Sequence, residues 1–270
     1  MSATIPTSQR HDPAVAPARR RDDHGRLRDT WPLAWRDLGL LVVACAVVIG
    51  VFTGLGLLIT GPLDGSALVR GDEDVARWME ERRTPGWNDA AVIGSGLSDT
   101  LVKVVFTAIV VVALLAVLKR WYESLVVAVS LVFEATAFIT ITTLVGRSRP
   151  AVERLQESPV NSSFPSGHTA AAVAYGAMAL VVIWHTRRTW LRVLVVAATA
   201  AVALAVSVSR VYQGMHFVSD VVAGALLGLV SVAITAVVLR RAAERSGVEA
   251  PGGGNSAPWR SSATTSHTNR

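Results

Sequence analysis

Along this chain apolar residues fall into six long runs: Leu38 to Thr60, Leu101 to Leu118, Glu123 to Val145, Ser166 to Trp184, Trp190 to Val208 and Phe217 to Leu239. A helix rises about 1.5 Å per residue, so each run spans roughly the 30 Å of a bilayer's hydrocarbon core. Backbone in lipid must satisfy its own hydrogen bonds, and a helix does this within one segment. The pattern predicts an all-α integral membrane protein, a six-transmembrane-helix bundle over residues 38–241. The breaks carry their own signals. Lys119, Arg120, Trp121 and Tyr122 close the second run, Gly146 and Pro150 stop the third, and Arg240 and Arg241 follow the sixth.

The longest polar break, residues 61–100, has a different texture. From Asp72 to Arg83 charge alternates with Val75, Trp78 and Met79. This predicts a short amphipathic helix on the membrane surface, an interfacial anchor with a lid or substrate guide as its functional alternative. Residues 1–37 and 242–270 lack an apolar period and are expected to be disordered tails. The first apolar run begins too late and is too long for a signal peptide.

Composition sharpens the class. The chain is 51% hydrophobic and 17% charged, where a soluble domain carries about 25% charged residues. Its single cysteine, Cys45, lies inside the first run, which leaves no intrachain disulfide or thiolate metal cluster and reads as packing. The formal net charge is +6, and Arg and Lys gather in the N-terminal tail, at 119–120, at 187–192 and at 240–245. Six spans put all of these on one side, and the positive-inside rule makes that side, with both termini, cytoplasmic. The Arg19–Arg21 cluster then reads as attraction to anionic lipid headgroups rather than to nucleic acid. A multi-pass protein of the plasma membrane is expected, with the loops 61–100, 146–165 and 209–216 facing outward.

Three polar clusters land on that outer face. Arg147-Ser-Arg-Pro150 follows the third run, Pro165-Ser-Gly-His168 opens the fourth, and Ser209-Arg210, His216 and Asp220 bridge the fifth and sixth. Ser166 suits an N-cap, and the first-turn N–H groups beyond it can hold a phosphate. Gly167 would let an oxyanion approach the backbone, and His168 is placed to donate a proton. His216 and Asp220, four apart, would share a helix face, and pairing would lower the cost of a carboxylate in the bilayer while fixing the imidazole tautomer. Arg149 and Arg210 stand at outward helix ends, as snorkelling anchors or as guanidinium forks for phosphate oxygens, and Arg147 could join them.

These clusters resemble the type 2 phosphatidic acid phosphatase family, membrane lipid-phosphate phosphatases whose site is shared with vanadium haloperoxidases. Pro165-Ser-Gly-His168 matches that family's second motif, and Ser209-Arg210, His216 and Asp220 match the third at the family's spacing. Arg149-Pro150 matches the end of the first, but Thr142 stands where the family has lysine. The resemblance covers about residues 90–241. It implies a phosphatase/haloperoxidase-like core with His216 as nucleophile forming a phosphohistidine, Asp220 orienting it and His168 as general acid. It also implies Arg149, Arg210, Ser166 and Gly167 as phosphoryl-binding groups, with no metal or cofactor. Arg147, or else Lys103, is expected to replace the missing lysine. Glu134, about 12 Å deeper than Thr142 at 1.5 Å per residue, reads as a protonated carboxyl bonded to a neighbouring helix.

The expected activity is hydrolysis of a phosphomonoester or diphosphate lipid at the outer leaflet, the substrate being an isoprenoid diphosphate such as undecaprenyl diphosphate, or phosphatidate. A lipid-phosphate phosphotransferase and a non-catalytic lipid-phosphate binder or transporter are the alternatives. Lipid-phosphate substrate and membrane lipids are the expected partners, with the oligomeric state left open.

Overall fold

The computed structural model describes residues 31–96, 98–157 and 160–247, so most of both expected tails lies outside the described residues. Among the described residues the chain is helical throughout, and six helical segments are long and apolar enough to cross a membrane. They are α1 (Trp35–Thr60), α4 (Thr100–Leu118), α5 (Trp121–Val145), the pair α6 (Gly167–Ala174) and α7 (Gly176–His185), α8 (Thr189–Tyr212) and α9 (Val218–Ser246). Between the first two spans lie α2 (Ala67–Glu81) and α3 (Pro85–Gly96).

The spans agree with the apolar runs, and their ends differ instructively. α1 begins at Trp35 because Asp37 turns back to accept the Ala34 N–H (3.0 Å), a cap that polar sequence supplies. α9 runs on to Ser246, into the expected tail, because Arg245 pairs with buried Asp37 and Ser246 donates to the Pro32 carbonyl (3.1 Å). Trp31 meets Trp121 edge-on at 5.2 Å at the same end of the bundle. The fourth span is interrupted at Tyr175, just before Gly176, a poor helix former. Gly146, at φ +64°, ends α5 in the left-handed conformation and turns the chain into Arg147.

α5, α6 and α9 form the centre. One buried cluster joins Phe52, Phe133, Ile141, Phe164 and Leu227, and a second joins Tyr122, Val126, Leu131, Val181 and Leu239. α4 carries no buried residue, and its outward Val and Ile side chains face where lipid would be. α6 and α9 touch through backbone. A Cβ on Gly224 would lie 2.3 Å from the Ser166 carbonyl oxygen, and one on Gly228 would lie 2.5 Å from that of Ala170. Small residues at such crossings let membrane helices pack by van der Waals contact.

Some hydroxyls within the spans are satisfied by their own helix. Thr140, Thr143, Thr199 and Ser231 hydrogen-bond carbonyls of the preceding turn. Glu134 finds Lys103 of α4 at 3.5 Å, so the neighbouring-helix partner expected for it is a lysine.

The 61–100 segment departs most from expectation. α2 is amphipathic, but the residues it buries are Asp72 and Ala76, while Trp78 is half exposed with Arg82 over its ring. It therefore docks on the bundle by a carboxylate-bearing face. Arg83 donates to the carbonyls of Tyr212 (3.0 Å) and Glu153 (2.7 Å), and the Glu153 N–H donates to Glu80 (2.6 Å). On α3, the carbonyl of Ala91 and the hydroxyl of Ser95 accept from Gln213 (2.6 and 3.1 Å). The segment is fastened to the loops that carry the polar clusters.

Candidate active site

The polar clusters converge at one end of the bundle, where α5 and α8 finish and α6 and α9 begin. His216 lies in the turn between α8 and α9, one residue before the N-cap Phe217, and is 4% exposed. Its Nδ1 is 2.7 Å from the Ser163 carbonyl. A carbonyl only accepts, so Nδ1 carries the proton and Nε2 keeps a free lone pair. Burial, then the charges of Arg210 and Arg149, hold this imidazole well below the ordinary histidine pKa of 6.5, against the opposing effect of the Ser163 bond. His216 is a neutral, oriented base in a cationic setting.

The expected His216–Asp220 pairing is corrected here. Nδ1 is 3.9 Å from Asp220 Oδ2, beyond hydrogen-bond reach. Spacing of four places residues on one face only within a helix, and α9 starts after His216. Asp220 instead accepts the Phe217 N–H (2.9 Å), capping a helix whose N-cap residue has no polar side chain. Its other oxygen pairs with Arg147.

Arg147 is likewise not a free phosphate ligand. Its guanidinium, 5% exposed, lies between Asp220 and Asp72, donates to Ser219 Oγ (2.7 Å) and stacks 4.2 Å from the Phe217 ring centroid. Two carboxylates occupy the cation that was expected to replace the family lysine. Thr142 at that lysine position is buried with no hydrogen-bond partner for its hydroxyl among the described residues.

Arg149 and Arg210 stand differently. Arg149 donates to the carbonyls of Met215, Val160 (3.2 Å) and Ser162 (3.2 Å), tying the loop after α5 to the turn that holds His216. Burial and then the neighbouring Arg154 charge lower its pKa. Arg210 donates Nη1 to Gln156 (3.0 Å) and Gln213 (3.1 Å), both neutral amides, and its buried Nε has no protein partner. Among the described residues no carboxylate hydrogen-bonds to it, the situation of a cation awaiting an anion.

At the start of α6, Ser166 caps the helix through Thr169, whose hydroxyl lies 3.0 Å from its own, and donates its N–H to the Asp220 carbonyl (2.9 Å). Its side chain is fully buried, which makes it a brace for the helix end. Gly167 has a packing reason of its own, because a Cβ there would sit 2.6 Å from the Phe138 ring. His168 is partly exposed, with Nε2 3.0 Å from Asp99 Oδ1. The Ser166 N–H bond to the Asp220 carbonyl ties the start of α6 to the start of α9, which places His168 and the His216 turn at the same end of the bundle.

Sequence reasoning missed Asp99, Ser163, Asp72 and Ser219. Asp99 had a signal, an acidic residue immediately before an apolar run, which is a helix N-cap position. Ser163 acts by its backbone and left no signal.

Fold and site define a helical membrane protein with a histidine- and arginine-lined centre at one end of its bundle. Residues 123–244 match the PAP2 superfamily model. The bacitracin transport permease protein BcrC of Bacillus licheniformis is 38% identical over 82 residues, which is 30% of this chain and 36% of that protein. The match thus spans about a third of that relative's length. A transmembrane PAP2-type phosphatidylglycerolphosphate phosphatase from Bacillus subtilis has the same fold, with a TM-score of 0.60 at 20% identity over 78% of this chain and 98% of that one. Aquifex aeolicus LpxE aligns over 60% of this chain and 92% of its own at 25% identity, with a TM-score of 0.47.

Proposed function

We propose that this protein is a membrane phosphatase that removes phosphate from a lipid phosphate or diphosphate at the outer leaflet, through a phosphohistidine on His216. One observation carries the reading. The Ser163 carbonyl holds the Nδ1 proton of His216 and leaves Nε2 unprotonated at the same end of the bundle as Arg210, whose Nε has no hydrogen-bond partner among the described residues. Nε2 attacks phosphorus while the bond to the leaving oxygen breaks, and His168 delivers its proton to that oxygen. Asp99 holds the His168 ring for this transfer. Arg210, with the first-turn N–H groups of α6, stabilises the charge gathering on the phosphoryl oxygens. Water then attacks phosphorus while giving a proton to His168, the P–N bond breaks with its electron pair returning to Nε2, and phosphate leaves with both histidines restored.

A lipid substrate is supported by the surroundings. An apolar groove of about 470 Å³ runs between α4, α6–α7 and α8, lined by Val102, Phe106, Ala172, Tyr175 and Val202 among others. Ala172 is one turn below His168, so a chain in the groove would present its headgroup to the histidines. The similarity to PAP2-type proteins, one of them named as a phosphatidylglycerolphosphate phosphatase, points the same way.

A second reading, a non-catalytic lipid-phosphate binder or transporter, has two supports: the uncharged Thr142 and the name of the permease relative. The test is phosphate release by the purified protein from a panel of lipid phosphates and diphosphates, with chelator present, beside His216→Ala. Release that falls by about 10³-fold or more in the variant is expected, the scale on which removing one member of a catalytic unit acts. Binding of lipid phosphate without release from any substrate would sink the phosphatase and leave the binder. Release of the phosphoryl group to a non-water acceptor alone would make it a phosphotransferase.

A further inference from the structure

We propose that Asp72, on α2 and outside the PAP2 segment, is a positioning residue for phosphoryl transfer, holding Arg147 and Ser219 so that Asp220 and the His216 turn keep their reactive arrangement. The inference rests on the phosphatase reading above.

The argument begins at the start of α9. A helix leaves its first N–H groups without intrahelical partners, and Phe217 at the N-cap has no side chain to meet them. Two carboxylates meet them instead. Asp220 takes the Phe217 N–H (2.9 Å), and Asp72 reaches across from α2 to take the Ser219 N–H (3.0 Å). Asp72 Oδ2 also accepts from Ser219 Oγ and from Arg147 Nη2 (3.0 Å). A carboxylate is well placed at a helix N-terminus, where the dipole is positive. This one comes from a segment 147 residues away in sequence.

Arg147 then links the cap to the nucleophile in two ways. Its side chain joins Asp72 to Asp220. Its backbone carbonyl accepts the Ser163 N–H (2.8 Å), and the Ser163 carbonyl is the group that fixes the His216 proton. Displacing the guanidinium therefore moves the residue that sets the imidazole. Asp220 Oδ2 also stands 3.9 Å from His216 Nδ1, so the carboxylate that Arg147 holds lies beside the imidazole whose Nε2 bonds to phosphorus. A disturbance confined to that arrangement falls on rate rather than on binding.

Burial separates Asp72 from the neighbouring acidic residues of its helix. Asp72 is 5% exposed, whereas Glu73 and Asp74 are exposed and pair only with Arg77 on the same surface. A helix that merely floated on lipid would have no use for a buried carboxylate.

The experiment compares steady-state kinetics of wild type, Asp72→Asn and Asp74→Asn in detergent, on whichever lipid phosphate the wild type hydrolyses. Asp72→Asn keeps the shape of the side chain and removes its charge. We expect kcat to fall about tenfold, equivalent to about 1.4 kcal/mol, with KM within about twofold because Arg149 and Arg210 are untouched. Asp74→Asn should match wild type. A kcat for Asp72→Asn within about twofold of wild type overturns the inference. So does a raised KM at unchanged kcat, which would make α2 a substrate-binding element. Should Asp72→Asn fail to fold, Ser219→Ala removes the hydroxyl that Asp72 and Arg147 share and is read by the same split. A wild type inactive on every lipid phosphate removes the phosphatase reading and this inference together, a result distinct from an active wild type with an unaffected variant.

Discussion

At the scale of single residues, the site turns on which partner holds each histidine. His216 is set by a backbone carbonyl and His168 by the Asp99 carboxylate, so the two rings have different electrostatic settings from the outset. For His216 the direction is clear: burial first, then Arg210 and Arg149, oppose its protonation. An unfolded histidine takes up a proton below about pH 6.5, while this one stays neutral well beneath that. The group therefore subtracts stability as pH falls below 6.5 and has no such effect above it. Nucleophile competence should persist into mildly acidic solution. An NMR titration of ¹⁵N-histidine-labelled protein, with His216→Gln to assign the signal, should find no His216 transition near pH 6.5. A midpoint at the ordinary histidine value would mean that the ring is solvated and the burial argument is wrong.

At the scale of elements, α6 and α9 are held so closely that glycine is demanded on α9. Gly224→Ala would drive a methyl group to 2.3 Å from the Ser166 carbonyl, a backbone atom that cannot swing aside. Overpacking of this kind costs about 1–3 kcal/mol, and here it would separate His168 from His216. Thermal unfolding in detergent should show a lower Tm with loss of activity. An unchanged Tm would mean that the helices give way more easily than this packing implies. The spans themselves were legible in the sequence because a bilayer leaves little else for long apolar runs to become. The family motifs were legible because their residue types and spacing are unusual together. Spacing alone set His216 and Asp220 as neighbours but not their hydrogen bond, since a spacing of four says nothing about where a helix begins. Asp72 was hidden among the other charges of α2, because nothing in a charged amphipathic stretch marks which carboxylate will be buried by docking.

At the scale of the molecule, the bundle has two unlike ends. One carries His168, His216, α2 and α3, and the other carries Lys119, Arg120, Arg187, Arg188, Arg240 and Arg241. By the positive-inside rule this asymmetry predicts a site that faces outward. In a Cys45→Ala background, Asp64→Cys should react with a membrane-impermeant maleimide on intact cells, and Arg187→Cys only after lysis. The opposite pattern would invert the topology and move the substrate leaflet with it. The docking of α2 has a consequence for how such a chain can change over time. The PAP2 segment supplies both histidines, but Asp72 and Asp99 come from the stretch before it. Exchanging that stretch with another protein's would transplant one half of a lock without its key. On the positioning role proposed for Asp72, inheritance of the site is expected to be joint: a change at position 147 or 219 should be tolerated only alongside a matching one at position 72.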